Sequence, residues 1–344
     1  MKYSRYLVCL MALAAMPLQA AKPSDEEVRV ALLARLEKSV VVIRASSSGL
    51  MPLDETLGSG VIASSDGLVI TAAHVVADAR VLELTLSGGE SVEAKVLYLD
   101  NTLDVALIRM SKAPPADAVA TLGDSAKLAK GATVYVIGNP RGLEFSIAAG
   151  MVSGRHAPEH AFGAESPGTD GDWIQTDAAM NAGVSGGPMF NSSGEVVGIA
   201  QSIVSRSGGS EGLGFGIGIS SVRKLLELDA CLYLGFSAIP LSGRLAEAFN
   251  VPATAGLLVQ FVAPESPAAD AGLREGEIEV GSGRDRIMLG GDIITHVDGV
   301  PVNEWTRKPY GGAVEGERHE IKLRVVRAGV VLELPLVTVH RKQW

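Results

Sequence analysis

The run Gln175-Thr176-Asp177-Ala178-Ala179-Met180-Asn181-Ala182-Gly183-Val184-Ser185-Gly186-Gly187-Pro188-Met189-Phe190 constrains this chain more than any other. It sets one serine among three glycines. Glycines let the backbone take conformations closed to other residues, so that N–H groups can be aimed together at one point. A serine hydroxyl is a weak nucleophile. It needs a base beside it, and donors placed where an oxyanion develops. The amides of Gly183 and Ser185 are the natural donors. Read alone, the motif is equally a glycine-rich turn before a strand. Read as a nucleophile loop, it requires a histidine and a carboxylate elsewhere in the chain, brought to it by the fold.

Both are present. Gly58-Ser59-Gly60-Val61-Ile62 and Leu68-Val69-Ile70-Thr71 flank an Asp66-Gly67 turn, which predicts a β-hairpin. The second strand runs into Ala72-Ala73-His74. Further on, Asp104 opens the apolar strand Val105-Ala106-Leu107-Ile108. A lone histidine after two alanines is ordinarily structural, and an Asp before a strand is ordinarily a turn residue. The three together, each in a fitting local setting, favour catalysis. Their order, His74 then Asp104 then Ser185, is that of the chymotrypsin-type triad. In that scheme His74 takes the proton of Ser185, and Asp104 orients the imidazole.

These segments resemble the HtrA/Deg family of serine proteases. The resemblance rests on Gly58-Ser59-Gly60-Val61-Ile62, Thr71-Ala72-Ala73-His74-Val75-Val76, Asp104-Val105-Ala106-Leu107, Ile137-Gly138-Asn139-Pro140-Arg141-Gly142-Leu143, Gln175 through Pro188, and Gly212-Leu213-Gly214-Phe215. It implies a mainly β protein: a chymotrypsin-type double β-barrel with the triad in the cleft, followed by a PDZ domain. The division expected is residues 1–21 as signal peptide, 22–228 as trypsin-like protease domain and 229–344 as one PDZ domain. The PDZ-like landmarks are Tyr233-Leu234-Gly235-Phe236, Ser266-Pro267-Ala268-Ala269 and Gly291-Asp292-Ile293-Ile294. The resemblance makes Tyr233, Leu234, Gly235 and Phe236 the peptide-binding loop, and gives Leu213 and Phe215 a place in the primary specificity pocket. Trypsin carries an aspartate six residues before its nucleophile; that position here is Ala179, followed by Met180. An apolar pocket binds Lys or Arg poorly, because an unpaired buried charge is costly.

Three departures from the family pattern stand out. Val184 occupies the position before the nucleophile, where asparagine is common. Residues 22–39 contain no Phe, Tyr or Trp, the residues through which family homotrimers clasp. The PDZ segment carries an insertion between Leu273 and Gly291, and Pro309, Gly311 and Gly312 interrupt the helix expected after Trp305.

Elsewhere the residues give local expectations. Ser24 to Glu27 reads as a capping box, followed by a helix with Val28, Leu32, Leu33 and Leu36 on its apolar side. Strands are expected at Val40–Ile43, on both sides of Ser87-Gly88-Gly89, at 105–110, 132–137, 146–153 and 194–200. Residues 45–57, 156–172 and 202–211 read as loops, and 222–228 as a closing helix. His156 and His160 in the second loop read as solvated residues, and no metal or cofactor is expected.

Lys2 and Arg5, the apolar run Tyr6–Leu18, and small residues at Ala20 and Ala21 form an export leader. Its removal takes away two positive charges and no acid, moving the formal charge from −9 to −11. With Cys9 in the leader, Cys231 has no disulfide partner. No basic cluster points to nucleic acid. The reading is an ATP-independent serine endopeptidase of the periplasm acting on misfolded or unfolded proteins, cutting after small or medium aliphatic residues, with apolar protein C-termini as PDZ ligands. The alternatives are a chaperone or binding protein on a catalytically quiet scaffold, and a regulatory protease anchored by a retained leader.

Overall fold

The computed structural model describes residues 24–47, 55–100, 103–155, 172–203, 209–227, 234–251, 255–264, 266–281, 287–302 and 318–339. Two closed six-stranded barrels and a third, smaller sheet follow one another along the chain.

The first barrel comprises β1 (Val40–Ser46), β2 (Glu55–Ile62), β3 (Leu68–Thr71), β4 (Val81–Leu86), β5 (Ser91–Asp100) and β6 (Val105–Met110), closing in the order β1-β2-β3-β6-β5-β4. The β-branched run Val40 to Ile43 is wholly buried. Its alternate residues Val41 and Ile43 enter the barrel core with Val69, Leu84 and Ile108. Burying side chains of this size stabilises by roughly 1.5–3 kcal/mol each. The Asp66-Gly67 turn joins β2 to β3 as expected. Strand β3 stops at Thr71, however, and His74 sits on a short helix, α2 (Ala73–Val76). Val75 and Val76 pull this helix into the barrel core. Gly58 makes room for it, since a Cβ there would lie 2.4 Å from Val75 Cγ1. Strands β1 and β2 reach further into residues 45–57 than the loop reading allowed, because Ala45 and Ser46 pair with Thr56 and Glu55.

In the second barrel β8 (Thr133–Gly138), β9 (Ser146–Gly154), β10 (Trp173–Thr176), β13 (Gly214–Gly218), β12 (Glu195–Ile203) and β11 (Pro188–Asn191) pair in that order, and β11 returns to β8. A short strand, β7 (Thr121–Leu122), adds in parallel to β12. Strand β12 extends to Ile203, past the expected start of the Ser/Gly loop, through pairing with β13. The closing helix, α3 (Ile219–Glu227), begins three residues before its expected start at Val222, and Ile219 is buried with Val222 and Leu225. Val61, Ile70 and Leu107 of the first barrel share a cluster with Ile137, Phe190, Ile199 and Ile217 of the second, so the barrels meet across a continuous apolar seam. Helix α1 (Asp25–Glu37) has the predicted capping box, Ser24 Oγ accepting from the Glu27 amide. Leu32, Leu33 and Leu36 pack on the seam, but Val28 is 53% exposed, because the helix meets the barrels only through its C-terminal half.

The third unit is a sheet in the order β14 (Phe236–Ser242), β15 (Ala255–Val262), β18 (Ile293–Val297), β20 (Arg318–Arg327) and β21 (Val330–Val339), with β19 (Val300–Pro301) on β18. These strands fit a PDZ domain. The insertion after Leu273 holds a hairpin of β16 (Ile278–Val280) and β17 (Ile287–Leu289). Buried Asp292 receives two 2.7 Å bonds from the Arg327 guanidinium and one from the Arg274 amide. The Asp292 carboxylate in turn holds the Arg327 pKa above its ordinary value. Next to the first barrel, Arg80 pairs with Glu275 and lies 5.4 Å from the centre of the Phe261 ring, while Ser237 Oγ donates to Asp78 at 2.9 Å. Tyr233, the interrupted segment after Trp305, and His156 and His160 lie outside the described residues.

Candidate active site

His74 and Asp104 come together from α2 and the turn before β6. The imidazole Nδ1 lies 2.7 Å from Asp104 Oδ2, and the His74 amide donates to Oδ1 at 2.9 Å. A carboxylate gripping both ring and backbone fixes the ring's orientation and leaves Nε2 for the substrate side. Asp104 holds a left-handed conformation, φ 52°. Its carbonyl accepts from the Ala73 amide at 3.1 Å, tying the acid to the helix that carries the base.

The Ser185 loop is stitched to both barrels. The Ser59 amide donates to the Ser185 carbonyl at 2.9 Å, and Ser59 Oγ donates to the Gly183 carbonyl at 2.8 Å while accepting from the Asn139 amide at 2.9 Å. Gly186 has φ +84°, and a Cβ there would lie 2.1 Å from Thr71 Oγ1. Val184 is buried in the second-barrel core with Met180 and Met189, so this departure from the common asparagine anchors the loop by packing. Gly183 has φ +97°. The Ala182 carbonyl accepts from the Arg141 amide at 2.8 Å. A trans peptide sends its C=O and N–H in opposite directions, so that bond turns the Gly183 N–H away from Arg141. Among the described residues neither the Gly183 nor the Ser185 amide donates a hydrogen bond within the protein. The Ser185 hydroxyl donates to the Gln201 carbonyl at 3.0 Å rather than to His74. In structures without substrate, catalytic hydrogen bonds are often unmade and tighten only in the complex.

The four residues expected in the specificity pocket divide. Met180 and Phe215 are buried, whereas Ala179 and Leu213 are exposed. Met180 Sδ lies 2.7 Å from where Gly214 would carry a Cβ, so the thioether packs against that backbone. Asp177, the nearest acid in sequence, accepts from the Met151 amide at 2.7 Å and is thereby bound to β9.

In the third unit the carbonyls of Leu234 and Gly235 turn inward, accepting from the amides of Ala268 (2.9 Å) and Ala263 (2.8 Å). Gly235 has φ +81°, and a Cβ there would lie 2.1 Å from Ser266 Cβ. Phe236 opens β14, which stands at the edge of its sheet with one side unpaired among the described strands.

Ser59, Arg141 and Gln201 were not singled out in the sequence. The small-residue run Gly58-Ser59-Gly60 carried a signal for Ser59, since three small residues in a strand mark a close approach. Nothing local marked Gln201.

A family model described as Trypsin-like peptidase domain matches residues 58–199. A protein named probable periplasmic serine endoprotease DegP-like, from Pseudomonas putida (strain GB-1), is 38% identical over 286 residues, covering 80% of this chain and 54% of its own length. A namesake from Ectopseudomonas mendocina (strain ymp) is 35% identical over 298 residues, 84% of this chain and 60% of its own. The chain thus spans little more than half the length of these relatives. The solved structure of an HtrA-type protease AlgW with tripeptide matches with TM-score 0.53 and 27% identity, covering 94% of this chain and 99% of that one. Taken with the double barrel and the His74, Asp104 and Ser185 loops meeting at its seam, these likenesses place the chain in the HtrA/Deg family of serine endopeptidases.

Proposed function

We propose that this chain is a periplasmic, ATP-independent endopeptidase that degrades misfolded or unfolded proteins, with His74, Asp104 and Ser185 as its triad. The observation that carries the reading is the double grip of Asp104 on His74, beside a serine loop with two uncommitted amides. In this mechanism Ser185 Oγ attacks the scissile carbonyl as His74 Nε2 takes its proton. The Gly183 and Ser185 amides hold the oxyanion. His74 then protonates the leaving amine, and water releases the acyl group by the same route.

The proposed specificity is for small or medium aliphatic residues before the scissile bond. Supporting it, Met180 packs beneath Gly214, and Asp177 is committed to β9. Residues 1–21 act as the export leader, 22–228 as the protease and 229–344 as the PDZ domain. The inward carbonyls of Leu234 and Gly235 and the free edge of β14 support capture of apolar C-termini there by strand addition.

The test is casein digestion by the purified mature chain beside Ser185→Ala, His74→Ala and Asp104→Asn. The two alanine variants are expected to abolish cleavage with the fold retained, and Asp104→Asn to lower kcat by about 10⁴. Full cleavage by Ser185→Ala would end the reading. A wild-type protein that binds casein without cutting it would favour the quiet-scaffold alternative.

A further inference from the structure

We infer that Gln201 is a positioning residue of the reaction, a strut from the second barrel that holds the backbone of Asp104 in place. This rests on the reading of Asp104 as the catalytic acid.

Gln201 lies in β12, at an irregularity of the ladder with β13. Ala200 pairs with Gly216 and Ser202 with Phe215, so Gln201 is an extra residue with no partner across the strand. Bulges of this kind re-aim a side chain, often beside active sites. Here the side chain leaves the second barrel and reaches the first. Its Nε2 donates to the Leu103 carbonyl at 2.5 Å and to the Asp104 carbonyl at 3.0 Å. Both acceptors are carbonyls, so only the nitrogen end of the amide can face them, and both of its hydrogens are used. Gln201 is 4% exposed, and its Oε1 is buried without a partner. An unpaired buried oxygen is unfavourable. The side chain nevertheless keeps this placement, which commits its donor end to the two carbonyls.

Those carbonyls belong to the turn that needs holding. Asp104 is a non-glycine residue at φ 52°, a conformation that persists only where surrounding structure enforces it. If the turn relaxes, the carboxylate leaves both the His74 ring and the His74 amide. The same residue reaches the nucleophile, since its own carbonyl accepts the Ser185 hydroxyl. One bulged residue therefore sets the catalytic acid through its side chain and the resting hydroxyl through its backbone. An apolar side chain of equal length would fill the space and lose the first of these roles.

Gln201→Met removes both donors at nearly constant length and volume. Gln201→Glu keeps the shape and presents oxygen to the two carbonyls, and it runs the same comparison should the methionine variant fail to fold. Each is made in the wild-type and Asp104→Asn backgrounds, and kcat and KM are measured on casein with folding checked by circular dichroism. Misplacement of a reacting group costs up to about 10²-fold, so Gln201→Met is expected to lower kcat roughly 10- to 100-fold with KM changed less than about twofold. In the Asp104→Asn background the same substitution should change kcat less than about threefold, because the carboxylate it positions is gone. A wild-type kcat in folded Gln201→Met overturns the inference. So does an equal fold-loss in both backgrounds, the mark of a general packing defect. Inactive wild-type protein, or active Ser185→Ala, would instead strike the triad reading, and the Ser185→Ala control separates the two failures.

Discussion

Replacing Gly183 by alanine tests whether its amide serves as an oxyanion donor. Two costs follow from the structure. At φ +97° an L side chain is strained by roughly 1–3 kcal/mol. The new Cβ would also stand 2.1 Å from the Asn139 carbonyl oxygen and 3.2 Å from the Arg141 nitrogen. A separation of 2.1 Å cannot be kept, so the 182–183 peptide must move off Asn139, and its N–H moves with it. Loss of one oxyanion donor costs about 10²–10³ in kcat, or about 2.7–4 kcal/mol at the transition state. The φ strain alone would lower Tm by roughly 2–12 °C, at 2–4 °C per kcal/mol for a unit of this size. Gly89→Ala, in the β4–β5 turn, is the control: φ there is +81°, and nothing lies within 4 Å of its Cβ position. Initial rates on fluorescently labelled casein across a concentration series, beside thermal melts, give both quantities. The expected pattern is a larger loss of Tm in Gly183→Ala, which carries the clash as well as the φ strain, than in Gly89→Ala, and a fall in kcat only in Gly183→Ala, with KM held. A folded Gly183→Ala protein with kcat within about threefold of wild type would refute the placement of the hole.

Three further outcomes are expected. Mass spectrometry of casein fragments should show Val, Ala, Ile and similar residues before the cut sites, and a predominance of Lys or Arg there would refute the apolar pocket. A full-length Ser185→Ala chain should bind peptides with free apolar C-termini more tightly than their amidated forms, and Gly235→Ala should abolish that preference, because its Cβ would meet Ser266; equal binding of both peptide forms by the parent chain counts against carboxylate capture. The Ser64 hydroxyl, with Arg109, holds the Asp66 carboxyl below its ordinary pKa of 3.8. A depressed folded pKa gives stability that is present above the unfolded value and lost as pH falls through the folded one, so the difference in urea midpoint between wild type and Asp66→Asn should be largest near pH 7 and shrink below pH 4.

The sequence pointed to the proposed chemistry more clearly than to the geometry. Glycine-flanked Ser185, His74 after two alanines, and Asp104 before an apolar strand were legible because each is a local pattern. The barrels were legible as alternating apolar strands, but their closure came through the family resemblance, since no strand carries a sign of its partner across the barrel. Helix α2 was read as the end of a strand: four residues are too few for periodicity, and what makes them helical is the docking of Val75 over Gly58. Val28 was read on the helix's apolar side and is exposed, because helical spacing marks a face and not how far along the helix that face is covered. Gln201 was invisible for the same reason in stronger form. A bulge is a property of two paired strands, and β12 read alone is an apolar run from Val196 to Ala200 followed by Gln201 and Ser202.

The candidate site sits where the barrels approach closely, and small residues on both sides make that approach possible. A Cβ at Gly138 would meet Ser59 Oγ at 2.7 Å, and one at Gly187 would stand 3.2 Å from Ser59 Cβ. Ser59 is wholly buried between them, and its hydroxyl is used twice, toward Gly183 and from Asn139. On the proposed roles, the base His74 and the acid Asp104 belong to the first barrel, and the nucleophile Ser185 and both proposed oxyanion donors to the second. Their relative placement is therefore not set within either barrel. It is set by the bonds that cross the seam, from Ser59 to the Ser185 loop and from Gln201 to the Asp104 turn. A substitution that leaves each barrel intact but loosens those crossings should separate acid and base from nucleophile, and so impair catalysis far more than stability.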